Sequence, residues 1–200
     1  MSKEAPTEED KVVTWFHQRA EPFLRSVGVH ECLQVADIGC HKGQFVLPAA
    51  RIVGSCGAVY AIDKDRGVLA NVRQMLKREN RHNVKVIKAD LAGDSLAPVA
   101  QRSIDLALLY DVLHRGYMPH RRERRNLLTQ VHRILKPGGT LSCYPTHLRK
   151  YGFTFEALMS EIAEAGFALK QESRRRLVHD GRLVRGRLFR FAKPEKGGYT

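Results

Sequence analysis

Residues 35–43, VADIGCHKG, decide the fold, because an apolar run ends there in an acidic residue and then turns through two glycines. A buried strand followed by a glycine loop and a helix is how α/β proteins bring backbone N–H groups to a nucleotide-like ligand. Gly39 and Gly43 let the backbone approach a ligand closely, since neither carries a Cβ. The segment therefore predicts a strand, a tight loop and a nucleotide-sized pocket.

The composition is typical of one globular domain, with 200 residues and a hydrophobic fraction of 43%. We expect residues 11–193 to form this domain, between a flexible N-terminal tail (1–10) and a C-terminal tail (194–200). No apolar run approaches the roughly 18 residues that cross a bilayer, and the polar, acidic start is unlike a signal peptide. The sequence predicts a cytoplasmic protein with no membrane partner.

Four cysteines, Cys32, Cys40, Cys56 and Cys143, are scattered along the chain without a CxxC pair. This spacing argues against a zinc knuckle and against a disulfide framework. We expect four small buried side chains that stay reduced in the cytosol, and no metal.

The chain is strongly basic, with a formal net charge of +13. A surplus of this size favours anionic partners such as RNA, an anionic small molecule or an acidic protein, but a solvated basic surface explains it equally well. Two regions carry most of the clustered arginines. They are Arg121, Arg122, Arg124 and Arg125 in the first, and Arg174, Arg175, Arg176, Arg182, Arg185, Arg187 and Arg190 in the second. The oligomeric state does not follow from the sequence.

Hydrophobic periodicity predicts strands that alternate with helices. The expected helices cover residues 11–27, 43–53 (with a possible kink at Pro48), 67–79, 120–135 and 154–165. The expected strands cover residues 34–38, 58–62, 83–89, 103–110, 140–144, 167–178 and 182–191. Residues 92–102 are expected to form a short helix or loop, and Asp180-Gly181 to form the turn of a terminal hairpin. This alternation predicts an α/β fold with a mostly parallel sheet.

Several segments, in this order, resemble the class I S-adenosylmethionine (SAM)-dependent methyltransferase family, in its ubiquinone/menaquinone-methyltransferase-like group. They are the glycine loop Asp37–Gly43, the strand ends 59–63 and 87–90, the fourth strand with its extension 104–114, and the turn 135–140. The resemblance covers residues 30–192. It implies a Rossmann-like, seven-stranded, mostly parallel sheet with helices on both faces and a C-terminal antiparallel hairpin. It also implies SAM as cofactor.

The resemblance further implies which residues meet SAM. Asp37 would accept a hydrogen bond from the amino group, Asp63 would accept from the ribose hydroxyls, and Asp90 would accept from the adenine amino group. The full set of expected cofactor-binding residues is Asp37, Gly39, Cys40, His41, Gly43, Asp63, Lys64, Asp90, Leu91 and Tyr110.

The loop departs from the family's glycine pattern, because His41 replaces the middle glycine. The ring can face the methionine end of SAM or the substrate, or it can face solvent, and the sequence leaves both open. The same replacement disfavours an NAD-binding GxGxxG loop, since with Gly39 first, position 41 is His and position 44 is Gln.

Methyl transfer from a sulfonium is an in-line displacement, so the protein aligns the acceptor and supplies a base for a neutral nucleophile. In this family the residues after the fourth strand face the methyl group, which makes Asp111 and His114 the candidate catalytic residues. An alternative role for His114 is to position that strand. Further candidates for the rim of the pocket are Tyr144, His147, Trp15, Phe16 and His17.

The acceptor is less well defined by the sequence. No Asn-Pro-Pro-Tyr follows the fourth strand, which argues against nucleobase amine methylation of that type. A small-molecule acceptor is the favoured interpretation. The alternatives are an RNA or protein methyltransferase that uses the arginine-rich surface, or a SAM-binding module without catalysis.

Overall fold

A seven-stranded sheet forms the centre of the protein in a computed structural model, which describes residues 6–93, 96–148, 150, 152–179 and 181–195. The helices are α1 (Glu8–Gln18), α2 (Ala20–Ser26), α3 (Val46–Val53), α4 (Arg66–Arg78), α5 (Arg121–Ile134) and α6 (Phe155–Glu164). The strands are β1 (Gln34–Ile38), β2 (Ala58–Asp63), β3 (Val84–Lys88), β4 (Ile104–Tyr110), β5 (Leu135–Tyr144), β6 (Ala168–His179) and β7 (Arg182–Ala192). Asp180 of the predicted hairpin turn lies outside the described residues.

The strand order is β3-β2-β1-β4-β5-β7-β6. Strands β1 to β5 pair in parallel, whereas β7 is antiparallel to both β5 and β6. This arrangement confirms the predicted α/β fold with its C-terminal hairpin. Strand β5 is longer than predicted, because Leu135 already pairs with Ile104 before a shift in register.

Two apolar layers cover the two faces of the sheet. One layer packs α5 and α6 against the sheet and includes Leu128 and Ile162. The other packs α2, α3 and α4 and includes Leu24, Val46 and Val72. Among the described residues, no helix is long and apolar enough to cross a membrane.

The N-terminal segment forms two helices rather than the single predicted helix over 11–27. Helix α1 begins at Glu8, inside the predicted tail, because Thr7 and Asp10 form a capping box. The break falls at Arg19, and α2 contains Pro22 in its first turn. A continuous helix would place the Pro22 ring against the Gln18 carbonyl, four residues earlier, and would lose that hydrogen bond. The predicted domain bounds stay a prediction.

Helix α3 begins at Val46, three residues later than predicted, and the segment before it forms turns. Pro48 therefore lies in the first turn of the helix, where its missing N–H has no intrahelical acceptor. For this reason the expected kink within a longer helix does not arise. By contrast, α6 begins close to the predicted start, because Thr154 is its N-cap and the Thr154 hydroxyl accepts from the Ala157 amide at 3.1 Å.

The expectation of four reduced, buried cysteines is wrong for two of them. Cys32 and Cys56 form a disulfide, with Cα atoms 4.6 Å apart and both residues exposed, whereas Cys40 and Cys143 are buried free thiols. The reason is the register of parallel strands β1 and β2, which pairs Gln34 with Ala58. The loops that precede these residues are thereby brought side by side, although the two cysteines are 24 residues apart in the chain.

Reduction of this disulfide is expected to lower the free energy of unfolding by about 3 kcal/mol, because the bond closes a loop of intermediate length in the unfolded chain. Denaturant unfolding with and without dithiothreitol measures the difference. The double variant Cys32→Ser/Cys56→Ser is the control, since its stability should not respond to dithiothreitol. Four alkylated thiols in unreduced, unfolded protein would contradict the pairing.

Candidate functional site

A cavity of about 970 Å³ opens at the carboxyl ends of β1, β2 and β4. Strands β1 and β4 are neighbours in the sheet, and the chain leaves them toward opposite edges. Ligands of open α/β sheets bind at such a switch point. Nine of the predicted site residues line the cavity. They are Asp37, Gly39, Cys40, His41, Asp63, Lys64, Tyr110, Asp111 and His114.

The glycine loop is held by backbone hydrogen bonds to β2. The Gly39 and Cys40 amides both donate to the Ile62 carbonyl, at 2.8 and 3.0 Å. Gly39 has a φ of +79°, and a Cβ there would lie 2.6 Å from Cγ2 of Val112. The loop therefore needs glycine at this position for both its backbone conformation and its close approach to the segment after β4.

Replacing Gly39 by alanine is expected to cost about 1–3 kcal/mol more stability than replacing Gly54 by alanine. Both positions have positive φ, but a Cβ at Gly54 would meet no atom within 4 Å, so the comparison isolates the contact with Val112. Val112 is β-branched and cannot move aside freely. Denaturant unfolding measures the difference, and Val112→Ala should partly restore the Gly39→Ala protein. Equal losses at the two glycines would contradict the contact.

Asp37 places a buried carboxyl group at the base of the cavity. Its residue surface is 3% exposed, and its Oδ2 atom has no hydrogen-bond partner among the described residues. Burial, with a smaller contribution from the nearby Asp63 carboxylate, raises the pKa of Asp37 to about 7. Such a group fits a cationic ligand that donates a hydrogen bond, because the ligand would supply the missing partner and the opposite charge.

Asp63, at the end of β2, is oriented by the loops on either side of it. Its Oδ2 atom accepts from the His41 amide at 2.9 Å, and its Oδ1 atom accepts from the Asp65 amide at 3.0 Å. Each carboxylate oxygen has a second lone pair. The group can therefore accept two further hydrogen bonds, as a ribose diol requires.

Other predicted cofactor residues lie around these carboxylates. Burial raises the pKa of the Cys40 thiol, which keeps the sulfur protonated. His41 is exposed at the cavity with a φ of +43°, and Lys64 places its Nζ atom 4.7 Å from the centre of the Tyr117 ring. The Tyr110 hydroxyl lies 2.9 Å from the Ser142 hydroxyl, and its ring contacts the Phe45 ring edge-to-face. Tyr110 therefore forms a rigid wall.

Three predicted cofactor residues are not among the described residues that line the cavity. Gly43 lies at the end of the glycine loop, where a Cβ would approach Val72 within 3.1 Å. Leu91 is buried in the apolar layer on the side of α5. Asp90 accepts a hydrogen bond from the Ala92 amide at 3.1 Å. Contact of Asp90 and Leu91 with an adenine ring stays a prediction.

His114 has its ring fixed by the backbone that follows it. The Nδ1 atom accepts from the amides of Gly116 and Tyr117, at 3.1 and 3.2 Å. In the neutral ring the proton is therefore on Nε2, which lies 3.8 Å from the Asp111 carboxylate. This geometry gives His114 a positioning contact, as in the alternative considered from the sequence, and leaves Asp111, which also lines the cavity, as the other candidate catalytic residue.

The electrostatic character of the cavity is opposite to that of the whole chain. The described lining includes five carboxylic side chains and only two lysines, and no arginine occurs in that described set. The acidic residues are Glu9, Asp37, Asp63, Asp65 and Asp111. In a chain with a net charge of +13, this cavity favours a ligand with positive charge.

The match to a known family covers the same elements that build this cavity. A family model described as a methyltransferase domain matches residues 35–139, just over half of the chain. The chain belongs to this methyltransferase family. The resemblance inferred from the sequence is thereby confirmed.

Curated relatives of the methyltransferase carry a consistent name. This chain is 28% identical over 126 residues to a demethylmenaquinone methyltransferase from Geobacillus stearothermophilus. The match covers 62% of this chain and 49% of the relative. A demethylmenaquinone methyltransferase from Lactococcus lactis is 25% identical, with 62% and 46% covered. The chain thus spans about half the length of these relatives.

Solved structures share the fold of this chain over nearly its full length. A SAM-dependent methyltransferase from Aquifex aeolicus superposes with a TM-score of 0.71 at 17% identity, covering 94% of this chain and all of the other. A SAM-dependent methyltransferase from Methanosarcina mazei has a TM-score of 0.70 at 17% identity, with 88% and 98% covered. At this identity the likeness establishes the fold alone.

Helix α1 covers one side of the cavity, but the residues that line it are not the predicted rim residues Trp15, Phe16 and His17. Glu9, Val12 and Val13 line it, whereas Trp15 is 6% exposed and packs against Phe45. Trp15 is therefore a core residue. The helical period was visible in the sequence, but the face of α1 that meets the cavity depends on how the helix packs against the sheet.

The hairpin contributes a wall that sequence reasoning missed. Leu177, Val178 and His179, at the end of β6, line the cavity beside Tyr144. Tyr144 was a predicted rim residue. In the sequence, the most prominent feature of β6 is its arginines. That the end of this strand lines the cavity is visible only in the fold.

The arginine-rich surface of the protein is smaller than the sequence suggested. Arg124 is 2% exposed and forms a bidentate ion pair with Glu161, with both N–O distances at 2.8 Å. It is therefore a structural contact between α5 and α6 and not a surface arginine. Arg187 is paired with Glu172 and stacks on the Phe155 ring. These arginines already have anionic partners within the chain.

Proposed function

We propose that this protein transfers a methyl group from SAM to a small, largely apolar acceptor of the quinol type. The main support for this proposal comes from Asp37. Its carboxyl group is buried at the cavity, and one of its oxygens has no hydrogen-bond partner among the described residues. The amino group of SAM supplies the cationic donor that this oxygen lacks.

The other described groups fit the remaining parts of SAM. Asp63 can accept from both ribose hydroxyls while its present bonds to the His41 and Asp65 amides hold it in place. Asp90 and the backbone at Leu91 follow β3, next to β2, where the family places the adenine. The acidic lining of the cavity also favours the positive sulfonium.

When bound, SAM supplies an activated methyl group. The chain must then hold the acceptor in line with it, exclude water and take a proton from a hydroxyl nucleophile. Asp111 is our candidate base, since it lines the cavity directly after β4. The tautomer of His114 makes it a residue that positions this segment, because its Nδ1 atom is engaged by two amides.

The apolar side of the cavity supports this class of acceptor. Apolar and aromatic side chains from α1, β5 and β6 line that side, among them Val12, Val13, Tyr144, Leu177 and Val178. Such a wall favours an apolar ring or chain over a polynucleotide, whose phosphates need cations. The names of the curated relatives point to the same class of acceptor.

The test is methyl transfer from radiolabelled SAM to reduced demethylmenaquinone, with total RNA and a protein extract as parallel acceptors. We expect label in the quinol product and loss of transfer in the Asp63→Ala variant. Label in RNA that falls steeply with salt would favour the RNA alternative. SAM binding without transfer to any of the three acceptors would favour the module without catalysis.

The cytoplasmic location remains our proposal from the sequence. Fractionation of cells that produce the protein tests it, together with thiol trapping of Cys32 and Cys56 before lysis. Trapping shows whether the Cys32–Cys56 bond of the structure is already present in the cell, where an intact bond would point to an oxidising compartment.

A further inference from the structure

Three side chains from separate elements meet at the edge of the cavity. Asp111 follows β4, His147 follows β5, and His179 ends β6. One potential ligand atom from each lies within 4.8 Å of the other two. The cluster is semi-buried, with 13% of the His179 side chain and 27% of the Asp111 side chain exposed.

The distances order these groups in a row. His179 Nδ1 lies 3.1 Å from Asp111 Oδ2, and His179 Nε2 lies 2.6 Å from His147 Nε2. When His179 donates its Nδ1–H to Asp111, its Nε2 atom presents a lone pair to His147. A proton on His147 then joins the two Nε2 atoms. A metal ion that takes one atom from each of the three residues would displace these protons, since the three atoms lie within 4.8 Å of one another.

The donor set matches the chemistry of transition metals. Two imidazoles and one carboxylate bind Zn²⁺, Fe²⁺ or Mn²⁺ and leave coordination positions open for other ligands. Two nitrogens bound to one zinc ion lie roughly 3.3 Å apart, so the two rings need to separate only slightly.

The backbone places the cluster with few degrees of freedom. The Asp111 amide donates to the Tyr144 carbonyl at 2.9 Å, which ties the end of β4 to the end of β5. His179 is held by the β6–β7 ladder, where it pairs with Arg182. Asp111 and His147 follow the adjacent strands β4 and β5, and His179 ends β6, which lies on the far side of β7, so the strand order brings the three residues together.

We propose that Asp111, His147 and His179 bind one divalent transition-metal ion at the edge of the cavity. Asp111 and His179 line the cavity, so an open coordination position of the ion faces it. The surrounding acidic lining attracts a cation to this place. Water fills the open position in the absence of substrate. That an oxygen of the acceptor replaces this water rests on the proposed function, and in the metal-bound protein the ion, not the Asp111 carboxylate, would favour loss of the hydroxyl proton.

The experiment uses the full chain after treatment with a chelator. Zn²⁺ is titrated by calorimetry, and Co²⁺ by its visible absorption, which reports histidine ligation. We expect one ion per chain and at least about a tenfold loss of affinity in His147→Gln, His179→Gln and Asp111→Asn. The matched control is His82→Gln, because His82 is an exposed histidine before β3 with its ring on Asn80.

SAM binding and thermal unfolding of every variant are measured alongside. Retained SAM binding with lost metal binding supports the site, and metal binding without SAM binding supports it while refuting the proposed function. Failure of the wild-type protein to bind either ion overturns the proposal, as does equal affinity in wild-type and all three variants. A shifted pH profile of methyl transfer with unchanged Co²⁺ binding also overturns it, and would make the cluster a proton relay.

Discussion

Replacing Asp37 by asparagine is expected to stabilise the ligand-free protein at pH 8 and at the same time to weaken SAM binding. The two effects have one cause. Asp37 is buried at the cavity, and burial together with the Asp63 charge raises its pKa from 3.8 to about 7. The folded chain therefore holds a proton between these values that the unfolded chain releases.

The raised pKa of Asp37 determines how the free energy of unfolding changes with pH. Since the folded state binds more protons in this window, the contribution of Asp37 to stability falls as pH rises from about 4 to about 7. Above that range a buried carboxylate remains, and its Oδ2 atom has no partner among the described residues. Asparagine cannot ionise, so the variant avoids this loss, which we expect to amount to about 1–3 kcal/mol at pH 8.

The effect on SAM has the opposite sign. The carboxylate is the proposed acceptor for the amino group, and a hydrogen bond to a charged group is worth about 1.5–3 kcal/mol, or about a 10- to 150-fold change in affinity. Thermal unfolding at pH 5 and pH 8, and calorimetry with SAM, measure the two effects. Glu31→Gln, an exposed carboxylate before β1, is the control. A variant that is less stable than wild type at pH 8 and binds SAM equally well would contradict both expectations.

Replacing Asp63 by alanine is expected to lower SAM affinity at least about 100-fold, because two charge-assisted hydrogen bonds to the ribose are lost. The carboxylate also accepts from the His41 and Asp65 amides, so its removal frees the loops on both sides. Asp63→Asn keeps one acceptor oxygen, and we expect an intermediate loss.

Calorimetry with SAM and with its demethylated product, S-adenosylhomocysteine, is the measurement. Both ligands carry the ribose, so Asp63→Ala should weaken them by a similar factor. Glu31→Gln again serves as the control for the loss of one carboxylate. A loss for SAM alone would place the contact at the sulfonium and contradict the ribose assignment, and unchanged affinities would remove Asp63 from the site.

The order and type of most elements could be predicted from the sequence, since they depend on local patterns. The run before Gly39, the apolar strand 104–110 and the alternation of helices and strands each reflect a periodicity that neighbouring residues carry by themselves. Asp37 and Asp63 could be predicted from the same kind of pattern, because each lies at the carboxyl end of a buried strand. Their loops meet at the carboxyl edge of a parallel sheet, as the topology requires.

Other structural features could not all be predicted, because several of them depend on residues that are distant in the chain. Pro22 splits the N-terminal helix by a local rule that was available in the sequence, so that error was avoidable. The burial of Arg124 could not be predicted from the sequence, because Glu161 lies on another helix and only the packing of α5 on α6 brings the two residues together. The same holds for the pKa of Asp37, which depends on burial and on the Asp63 carboxylate across the cavity.

Local sequence patterns were enough to predict the α/β fold, the glycine loop and the two carboxylates that mark the proposed SAM site. The disulfide between Cys32 and Cys56 and the cluster of Asp111, His147 and His179 became visible only in the folded protein. The physical reason is that periodicity and turn residues act between near neighbours, whereas these contacts depend on strand order and register. A change of one residue in register would separate them, because it moves every side chain of a strand to the other face.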